Sequence, residues 1–305
     1  MHRMTRIVFM GSPEFAVPSL RVLTREYRVV GVVTQPDRPA GRGREMRPPP
    51  IKLEAAELRL PAIQPERLTD PAALRQVTDW APDLIIVAAF GQLLRPELLE
   101  LPAQGCVNVH ASLLPRWRGA APIQAAIAAG DAEAGVTIMR MDQGMDTGGI
   151  LSQRSLRVDS QDTTGSLSGK LSQLGAELLA ETLPGYLSGE VRPQPQNSIG
   201  ATKAPILKKE EGLLDLALSA DMLERRVRAF NPWPGAHIMW EDGRLKINRA
   251  HVVRVAARIG TRIVVEGQPA LAAADGVLVL DEVQPAGKKP MHGRAFLLGA
   301  RDWGR

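Results

Sequence analysis

Two short segments of the chain carry side chains that could move a proton and stabilise negative charge. In the first, Asn108 and His110 stand two residues apart in the apolar run from Cys106 to His110. Alternation along a strand directs both to the same side. A histidine exchanges protons near neutral pH, and an amide can donate a hydrogen bond to a developing oxyanion. This spacing indicates half of an acyl-transfer site, although an isolated Asn-x-His motif is more often structural.

The second segment is the acidic, glycine-rich stretch from Met141 to Gly149. It contains three glycines and two aspartates, Asp142 and Asp146, and this composition predicts a flexible loop. A carboxylate beside an imidazole orients the ring and favours its charged form. On its own, such a stretch is more often an ordinary turn.

Apolar strands alternate with helices through the first part of the chain. This alternation predicts where the Asn-x-His segment and the acidic segment lie in the fold. Strands are predicted at 6–10, 29–33, 83–89, 106–110 and 135–141, and helices at 15–23, 51–60, 96–100, 121–129 and 164–183. The alternation is typical of an α/β domain with a doubly wound, mostly parallel sheet. Ligands of such sheets bind beyond the carboxyl ends of the strands, where His110 and Asp142 fall.

A second, smaller domain is predicted after a polar stretch that contains two prolines. We expect an N-terminal catalytic domain at 1–189, a linker at 190–205 and a C-terminal domain at 206–305. A helix at 220–230 precedes short strands at 237–240, 245–247, 262–266 and 277–280. Short strands separated by turns favour a small β-barrel of the OB-like type.

Charge and composition narrow the class of protein. Residues 206–305 hold 16 Lys and Arg against 12 Asp and Glu, whereas residues 1–205 hold 22 against 21. The excess positive charge fits either an ordinary basic surface or contact with RNA. One cysteine and five histidines give no zinc-binding pattern. Without an apolar leader or a long apolar run, we expect a cytoplasmic protein that does not enter a membrane.

The stretch 34–50 is long for a connection inside an α/β unit, and long loops are commonly functional or disordered. Four arginines outnumber two acids in it: Arg38, Arg42, Arg44 and Arg47 against Asp37 and Glu45. Arginine pairs well with phosphate, so this basic loop could contact RNA. The alternative is a charged loop that only meets solvent.

Several motifs together resemble the folate-dependent formyltransferase family. They are Asn108-x-His110, Ser112-Leu-Leu-Pro115, Trp117-Arg-Gly-Ala-Ala-Pro122-Ile-Gln124 and Asp142-x-Gly144-x-Asp146-Thr-Gly148. The stretches 11–16, 34–43 and 228–235 resemble the members that act on methionyl-tRNA, so the likeness spans nearly the whole chain. Ala111 stands where some members have glycine, and both residues are small.

The resemblance implies transfer of a formyl group from 10-formyltetrahydrofolate to the free amino group of initiator methionyl-tRNA. It implies a catalytic trio of Asn108, His110 and Asp146 that assists direct attack through a tetrahedral intermediate. Folate contacts are implied for Phe90, Gly91, Gln92, Ser112, Leu113, Leu114, Pro115 and Asp142. The four loop arginines would contact the tRNA, and Phe15 would help to form a pocket for the methionyl side chain. We expect a monomer with no metal and no protein partner.

The sequence argues against a dehydrogenase and leaves other interpretations open. A nicotinamide-dependent dehydrogenase would need Gly-x-Gly-x-x-Gly after the first strand, where this chain has Gly11-Ser-Pro-Glu-Phe-Ala16. A formyltransferase that acts on a small amine would not need the basic loop, and an RNA-binding module would not need an intact trio. Cys106 could carry the acyl group as a minor route, and Phe90 could simply pack in the core.

Overall fold

The computed structural model describes residues 4–40, 45–241 and 243–304. By contacts, the chain divides into two compact units. The first comprises Met1–Pro122, Ala134–Leu156 and Ser168–Ala204, and the second comprises Ile123–Glu133, Arg157–Leu167 and Pro205–Arg305. Residues 190–204, which the sequence predicts as a linker, therefore belong to the first compact unit.

The elements are numbered in chain order. The strands are β1 (Arg6–Gly11), β2 (Arg28–Val33), β3 (Arg38–Ala40), β4 (Glu45–Arg47), β5 (Ala62–Ile63), β6 (Leu84–Ala88), β7 (Cys106–His110), β8 (Arg118–Gly119), β9 (Glu133–Arg140), β10 (Ile150–Arg157), β11 (Lys203–Ala204), β12 (His237–Trp240), β13 (Gly243–Val253), β14 (Arg262–Val265), β15 (Gln268–Ala272), β16 (Val277–Gln284) and β17 (Met291–His292). The helices are α1 (Val17–Glu26), α2 (Pro50–Glu57), α3 (Pro71–Asp79), α4 (Pro96–Leu99), α5 (Pro122–Ala129), α6 (Thr164–Ser188), α7 (Ala220–Ala229) and α8 (Gly293–Gly299).

A seven-stranded sheet forms the centre of the first unit, in the order β10-β9-β7-β6-β1-β2-β5. The pairs from β5 through β7 are parallel, whereas β9 runs antiparallel to β7. The prediction of a mostly parallel α/β sheet is confirmed. Parallel strands buried on both faces read as continuous apolar runs, and residues 7–10 of β1 are fully buried.

The antiparallel neighbour of β7 matters for the site. Because β9 returns alongside β7, the acidic segment that follows Arg140 begins next to the start of β7, and the Met141 amide donates to the Cys106 carbonyl at 2.8 Å. The segment then returns to the sheet as the edge strand β10. The antiparallel strand therefore carries the acidic segment to the strand that holds Asn108 and His110.

The second unit contains one curled antiparallel sheet in the order β12-β13-β16-β15-β14, with β17 paired to β16. The long strand β13 shows two register irregularities against β16, near Arg249. Such bulges bend and twist a strand, which helps to curl the sheet. The predicted small β-barrel domain is confirmed as a curled antiparallel half-barrel, in which β12 pairs antiparallel with β13.

Candidate active site

The two residues of the Asn-x-His motif lie on β7, between the neighbouring strands β6 and β9. His110 is the last residue of the strand and is 6% exposed, whereas Asn108 is half-buried. The position of His110 at the carboxyl end of a central strand, with Asn108 two residues before it, is the one that the sequence predicts. A ligand at this edge would meet both side chains. Asp142, which the sequence places at the same edge, instead follows the antiparallel strand β9 and so comes after a residue that pairs with the start of β7.

The carboxylate of Asp146 joins the two side chains. Its Oδ1 accepts a hydrogen bond from Asn108 Nδ2 at 3.4 Å, and its Oδ2 lies 3.7 Å from His110 Nδ1. The same Oδ2 accepts from the backbone N–H of Gly119 at 2.8 Å. The carboxylate thus comes from a later stretch of the chain to meet the amide and the imidazole of β7.

The two ring nitrogens of His110 face different partners. Nε2 lies 3.0 Å from the carbonyl oxygen of Trp117, whereas Nδ1 faces Asp146. A carbonyl oxygen can only accept, so this contact requires that Nε2 carries a hydrogen. Nδ1 is therefore the nitrogen that can gain and lose a proton, and protonation there creates an ion pair with Asp146.

The loop that carries Asp146 has an unusual backbone. Asp146 itself has a φ of +53°, in the left-handed region that few non-glycine residues adopt. A side chain at Gly148 would collide with the carbonyl oxygen of Arg140, so that position admits no larger residue. Asp142 closes the start of the loop, because its Oδ1 accepts from Gly144 N at 3.0 Å and from Thr147 Oγ1 at 2.7 Å.

The segment 112–115, predicted to contact folate, follows His110 directly and is held by internal hydrogen bonds. The Ser112 hydroxyl donates to the Arg116 carbonyl at 2.6 Å, and Thr137 Oγ1 donates to the Ser112 carbonyl at 2.6 Å. Ser112 and Leu114 are buried, while Leu113 and Pro115 are half-buried. The segment forms a fixed wall beside His110 in which the Ser112 hydroxyl is already engaged.

The other predicted folate segment, 90–92, follows β6, the strand beside β7. The Phe90 side chain is 2% exposed and packs in the apolar core with Val87 and Cys106. Gln92 accepts a hydrogen bond from the Leu68 backbone at 2.9 Å, away from the trio. The structure therefore places this segment at the same sheet edge, with the Phe90 ring in the core.

A cavity of about 610 Å³ lies against the acidic loop. Small-molecule sites commonly have volumes of about 300–1,000 Å³. Its lining is formed by Leu99, Glu100, Gly105, Arg140, Met141, Asp142, Gln143, Thr147, Gly148, Gly149, Pro193, Pro195 and Gln196. Asp142 is the predicted folate residue that this lining includes. The cavity therefore borders the acidic loop, and none of the three trio residues is part of its lining.

Cys106 does not offer a nucleophile. Its side chain is 1% exposed, and Sγ lies 3.4 Å from the carbonyl oxygen of Leu98. Burial raises the pKa of the Cys106 thiol to about 12. Because the thiolate is the reactive form, an acyl-cysteine route has no support in this geometry.

The basic loop is in part a short hairpin. Strands β3 and β4 pair antiparallel, with Arg38 opposite Arg47, and both arginines are exposed. Arg42 and Arg44, also predicted to contact tRNA, lie outside the described residues. Phe15, predicted for the methionyl pocket, is 8% exposed, and its carbonyl oxygen accepts from Ser172 Oγ at 2.8 Å.

Sequence patterns missed three contributors to the site. Gly119 supplies a backbone donor to Asp146, Trp117 supplies the acceptor for His110, and Gln196 hydrogen-bonds the backbone of the acidic loop. Gly119 and Trp117 lie within the motif from Trp117 to Gln124, but the residue types of that motif do not indicate backbone contacts. Gln196 lies in the stretch predicted as a linker, where a polar residue between prolines carries no signal.

The described part of the chain holds neither a cluster of metal ligands nor a membrane-spanning helix. Within it, no group of three or more metal-ligating side chains is arranged to hold an ion. Across the same residues, the helices include none that is both long and apolar enough to traverse a lipid bilayer.

Known protein families and relatives match this chain along nearly its whole length. The family described as formyl transferase matches residues 5–183, and its C-terminal domain family matches residues 206–301. A methionyl-tRNA formyltransferase from Myxococcus xanthus is 48% identical over 96% of this chain and 95% of its own length. The Bacillus subtilis protein of the same name is 44% identical over 97% of this chain and 95% of its own length.

Solved structures with the same fold are more distant in sequence. A methionyl-tRNA formyltransferase from Clostridium thermocellum superposes with a TM-score of 0.58 at 16% identity, over 92% of this chain and 99% of that one. The sugar 3N-formyl transferase WlaRD gives a TM-score of 0.67 at 17% identity, over 94% of this chain and 100% of that one. At these identities, the likeness shows the fold alone.

Proposed function

Because the chain belongs to the formyltransferase family, we propose that it transfers a formyl group from 10-formyltetrahydrofolate to the amino group of methionyl-tRNA. The relatives that are 44–48% identical over nearly the whole chain bear the name of that activity. The sugar formyltransferase that superposes on this chain shares 17% of its residues and supports only the common fold. Acceptance of a small amine is therefore the weaker alternative.

One observation carries the chemical part of the proposal: a single carboxylate, Asp146, faces both the Asn108 amide and the His110 imidazole. In the reaction, the amine attacks the formyl carbon, a C–N bond forms, and negative charge develops on the formyl oxygen. Asn108, which has a second Nδ2 hydrogen, donates a hydrogen bond to that oxygen, and His110 donates from Nδ1 once it has taken the proton of the amine. One such donor contributes about 3–4 kcal/mol to the transition state.

The reaction requires that a proton move from the amine to the folate, and the His110–Asp146 pair is suited to transfer it. The attacking amine must lose a proton, and the folate nitrogen must gain one as its bond to the formyl carbon breaks. We propose that Nδ1 of His110, the nitrogen opposite Asp146, carries this proton between the two. Asp146 stabilises the imidazolium while the proton is held there. The net change is one formyl group exchanged for one proton.

Substrate contacts complete the proposal. We assign the folate to residues 90–92 and 112–115, which follow β6 and β7, and to Asp142 of the acidic loop. We assign the acceptor end of the tRNA to the basic loop and the positively charged C-terminal region. Phe15 is assigned to the wall of the methionyl pocket through its buried ring. We also propose that the protein acts as a monomer in the cytoplasm, where initiator tRNA is used.

The test is an acceptor comparison. The purified protein is incubated with 10-formyltetrahydrofolate and, in separate reactions, methionyl-tRNA, free methionine, an amino sugar nucleotide or uncharged tRNA. We expect formyl transfer only to methionyl-tRNA. Formylation of the amino sugar nucleotide at a comparable rate would favour the small-amine alternative, and no transfer to any acceptor would reject the proposed activity.

A further inference from the structure

The side-chain amide of Gln196 uses its full hydrogen-bonding capacity. Its Nε2 donates to the carbonyl oxygens of Asp146 and Gly148, each at 2.8 Å. Its Oε1 accepts from Nε and Nη2 of Arg118, at 3.1 and 2.7 Å. Two amide hydrogens and two lone pairs are thus engaged, which fixes both the position and the orientation of the amide.

The backbone that Gln196 holds is the one that needs support. Asp146 adopts a φ of +53°, and a strained conformation of this kind persists only where the surroundings enforce it. Gln196 bridges the carbonyl oxygen of Asp146 itself and that of Gly148, two residues later. The bridge keeps the left-handed turn closed and so sets the direction in which the Asp146 side chain leaves the backbone.

Arg118 and Gly119 link the same aspartate from the other side. Arg118 holds Gln196, and the next residue, Gly119, donates its N–H to Asp146 Oδ2. Both residues form β8, which pairs in parallel with β11. One two-residue strand therefore controls the carboxylate directly and the backbone of Asp146 through Gln196.

We propose that Gln196 is a positioning residue for the catalytic carboxylate, an inference that rests on the proposed role of Asp146. Gln196 reaches the reaction through Asp146, whose Oδ2 lies 3.7 Å from His110 Nδ1. A misplacement of about 1 Å in a catalytic site can lower a rate by about 10²-fold. Loss of the bridge should therefore reduce turnover although the trio stays intact.

The test compares three substitutions in one segment. Gln196→Met keeps the length of the side chain and removes all four hydrogen bonds. Gln196→Glu can still accept from Arg118 but turns carboxylate oxygens toward two carbonyl oxygens. Gln194→Met is the matched control, because the exposed Gln194 amide donates to the carbonyl oxygen of Arg192, a neighbour in the same segment, at 3.3 Å.

We expect kcat for formylation of methionyl-tRNA to fall at least 10-fold in Gln196→Met and in Gln196→Glu, and to stay unchanged in Gln194→Met. Thermal unfolding midpoints should stay within about 4 °C of the parent, which separates positioning from global destabilisation. Because Gln196 also lines the cavity beside the loop, KM for the folate is measured in each variant. An effect confined to KM would reject a positioning role.

A double-mutant cycle decides whether Gln196 acts through Asp146. In an Asp146→Asn background, Gln196→Met should cause less than a 3-fold further loss of kcat, since coupled residues are non-additive. If the two losses multiply, Gln196 acts independently and the inference fails. If Asp146→Asn retains full activity, the proposed function of the trio fails instead. Should Gln196→Met not fold, Gln196→Glu is carried through the same cycle.

Discussion

Among single side chains, Asp146 has the most constrained surroundings of the trio. Its two carboxylate oxygens meet an amide donor, a backbone donor and an imidazole nitrogen, and its own backbone occupies the left-handed region. A carboxylate with this many partners is held in one orientation before substrate arrives. Catalytic groups fixed in advance need no reorganisation when charge develops.

Asp146→Asn should lower kcat for formyl transfer by about 10⁴-fold, as when an aspartate that pairs with a catalytic histidine is replaced by asparagine. The amide keeps the shape of the side chain but cannot balance an imidazolium at His110. Initial rates at saturating folate and methionyl-tRNA measure the effect, with folate binding by titration as the control. A variant that retains more than a tenth of the parent turnover would contradict the assigned role.

Cys106 should be unreactive in the folded protein. Its raised pKa, about 12, leaves the protonated thiol as the dominant form at every pH below that value. We expect slow alkylation by iodoacetamide at pH 8 and rapid alkylation after unfolding in guanidinium chloride. Cys106→Ala should keep turnover within about 3-fold of the parent, because the thiol makes no bond in the reaction. Abolished turnover with intact folate binding would revive the acyl-cysteine route.

Secondary structure elements differ in how clearly the sequence predicts them. The central strands β1, β2, β6 and β7 are continuous apolar runs, because both faces of the sheet are covered. Strand β10 was missed because, at the sheet edge, it alternates half-buried and exposed residues and contains mostly polar side chains. The short helix α3 was missed too, since it buries only Ala73 and Val77 against the core.

The sequence likewise predicts only part of the candidate site. The period of a strand predicts that Asn108 and His110 share a side, since that relation is local. The contacts of Asp146 with Gly119 and Gln196 span 27 and 50 residues of chain. Backbone donors and a side chain between prolines leave no periodic pattern, so these contacts depend on tertiary structure. Only the resemblance connects Asp146 to the histidine at the sequence level.

The hairpin β3–β4 is anchored at its base by Asp37. Its carboxylate accepts from Gln64 Nε2 at 2.7 Å and from Lys52 Nζ at 2.7 and 2.8 Å. The hydrogen bond from Gln64, followed by that from Lys52, lowers the pKa of Asp37 below its usual value. The folded pKa lies below the unfolded one, so this anchor contributes above the usual carboxyl pKa. Its contribution is lost as the pH falls through the lowered value.

Asp37→Asn therefore gives a sharp test of the anchor. Removal of a negative charge from a basic loop should by itself strengthen binding of tRNA, whereas loss of the anchor should weaken it. We expect the dissociation constant for tRNA to rise about 3- to 10-fold, with folate binding unchanged, since the hydrogen bonds to the charged carboxylate are weakened. Glu45→Gln, which removes an exposed acid of β4, is the matched control and should bind tRNA as tightly as the parent or more tightly.

At the scale of the whole chain, the two family matches and the distribution of positive charge both distinguish a C-terminal region. The formyl transferase family matches the catalytic region and the C-terminal region separately, at 5–183 and 206–301. The trio lies in the first match, while residues 206–305 hold a surplus of four positive charges, 16 against 12. The proposed macromolecular acceptor would account for both parts, because an RNA needs phosphate contacts beyond the reacting amine.

The basic loop should contribute mainly to that phosphate attraction. Replacement of Arg42 and Arg44 by glutamine is expected to weaken tRNA binding much more than folate binding. It should also reduce the slope of log affinity against log salt by about 1–2, one counterion for each lost phosphate contact. Arg75→Gln, which removes an exposed charge from helix α3, serves as the control. Equal losses of tRNA and folate affinity would contradict an electrostatic role.

The pairing of β8 with β11 has a consequence for biosynthesis. The first compact unit extends to Ala204, and β11 and Gln196 are among the last of its parts to be translated. A nascent polypeptide that has emerged from the ribosome only as far as the end of α6 already contains every member of the trio. It still lacks Gln196, whose amide donates to the Asp146 carbonyl, so by the role proposed for Gln196 such a chain would not yet hold Asp146 in place.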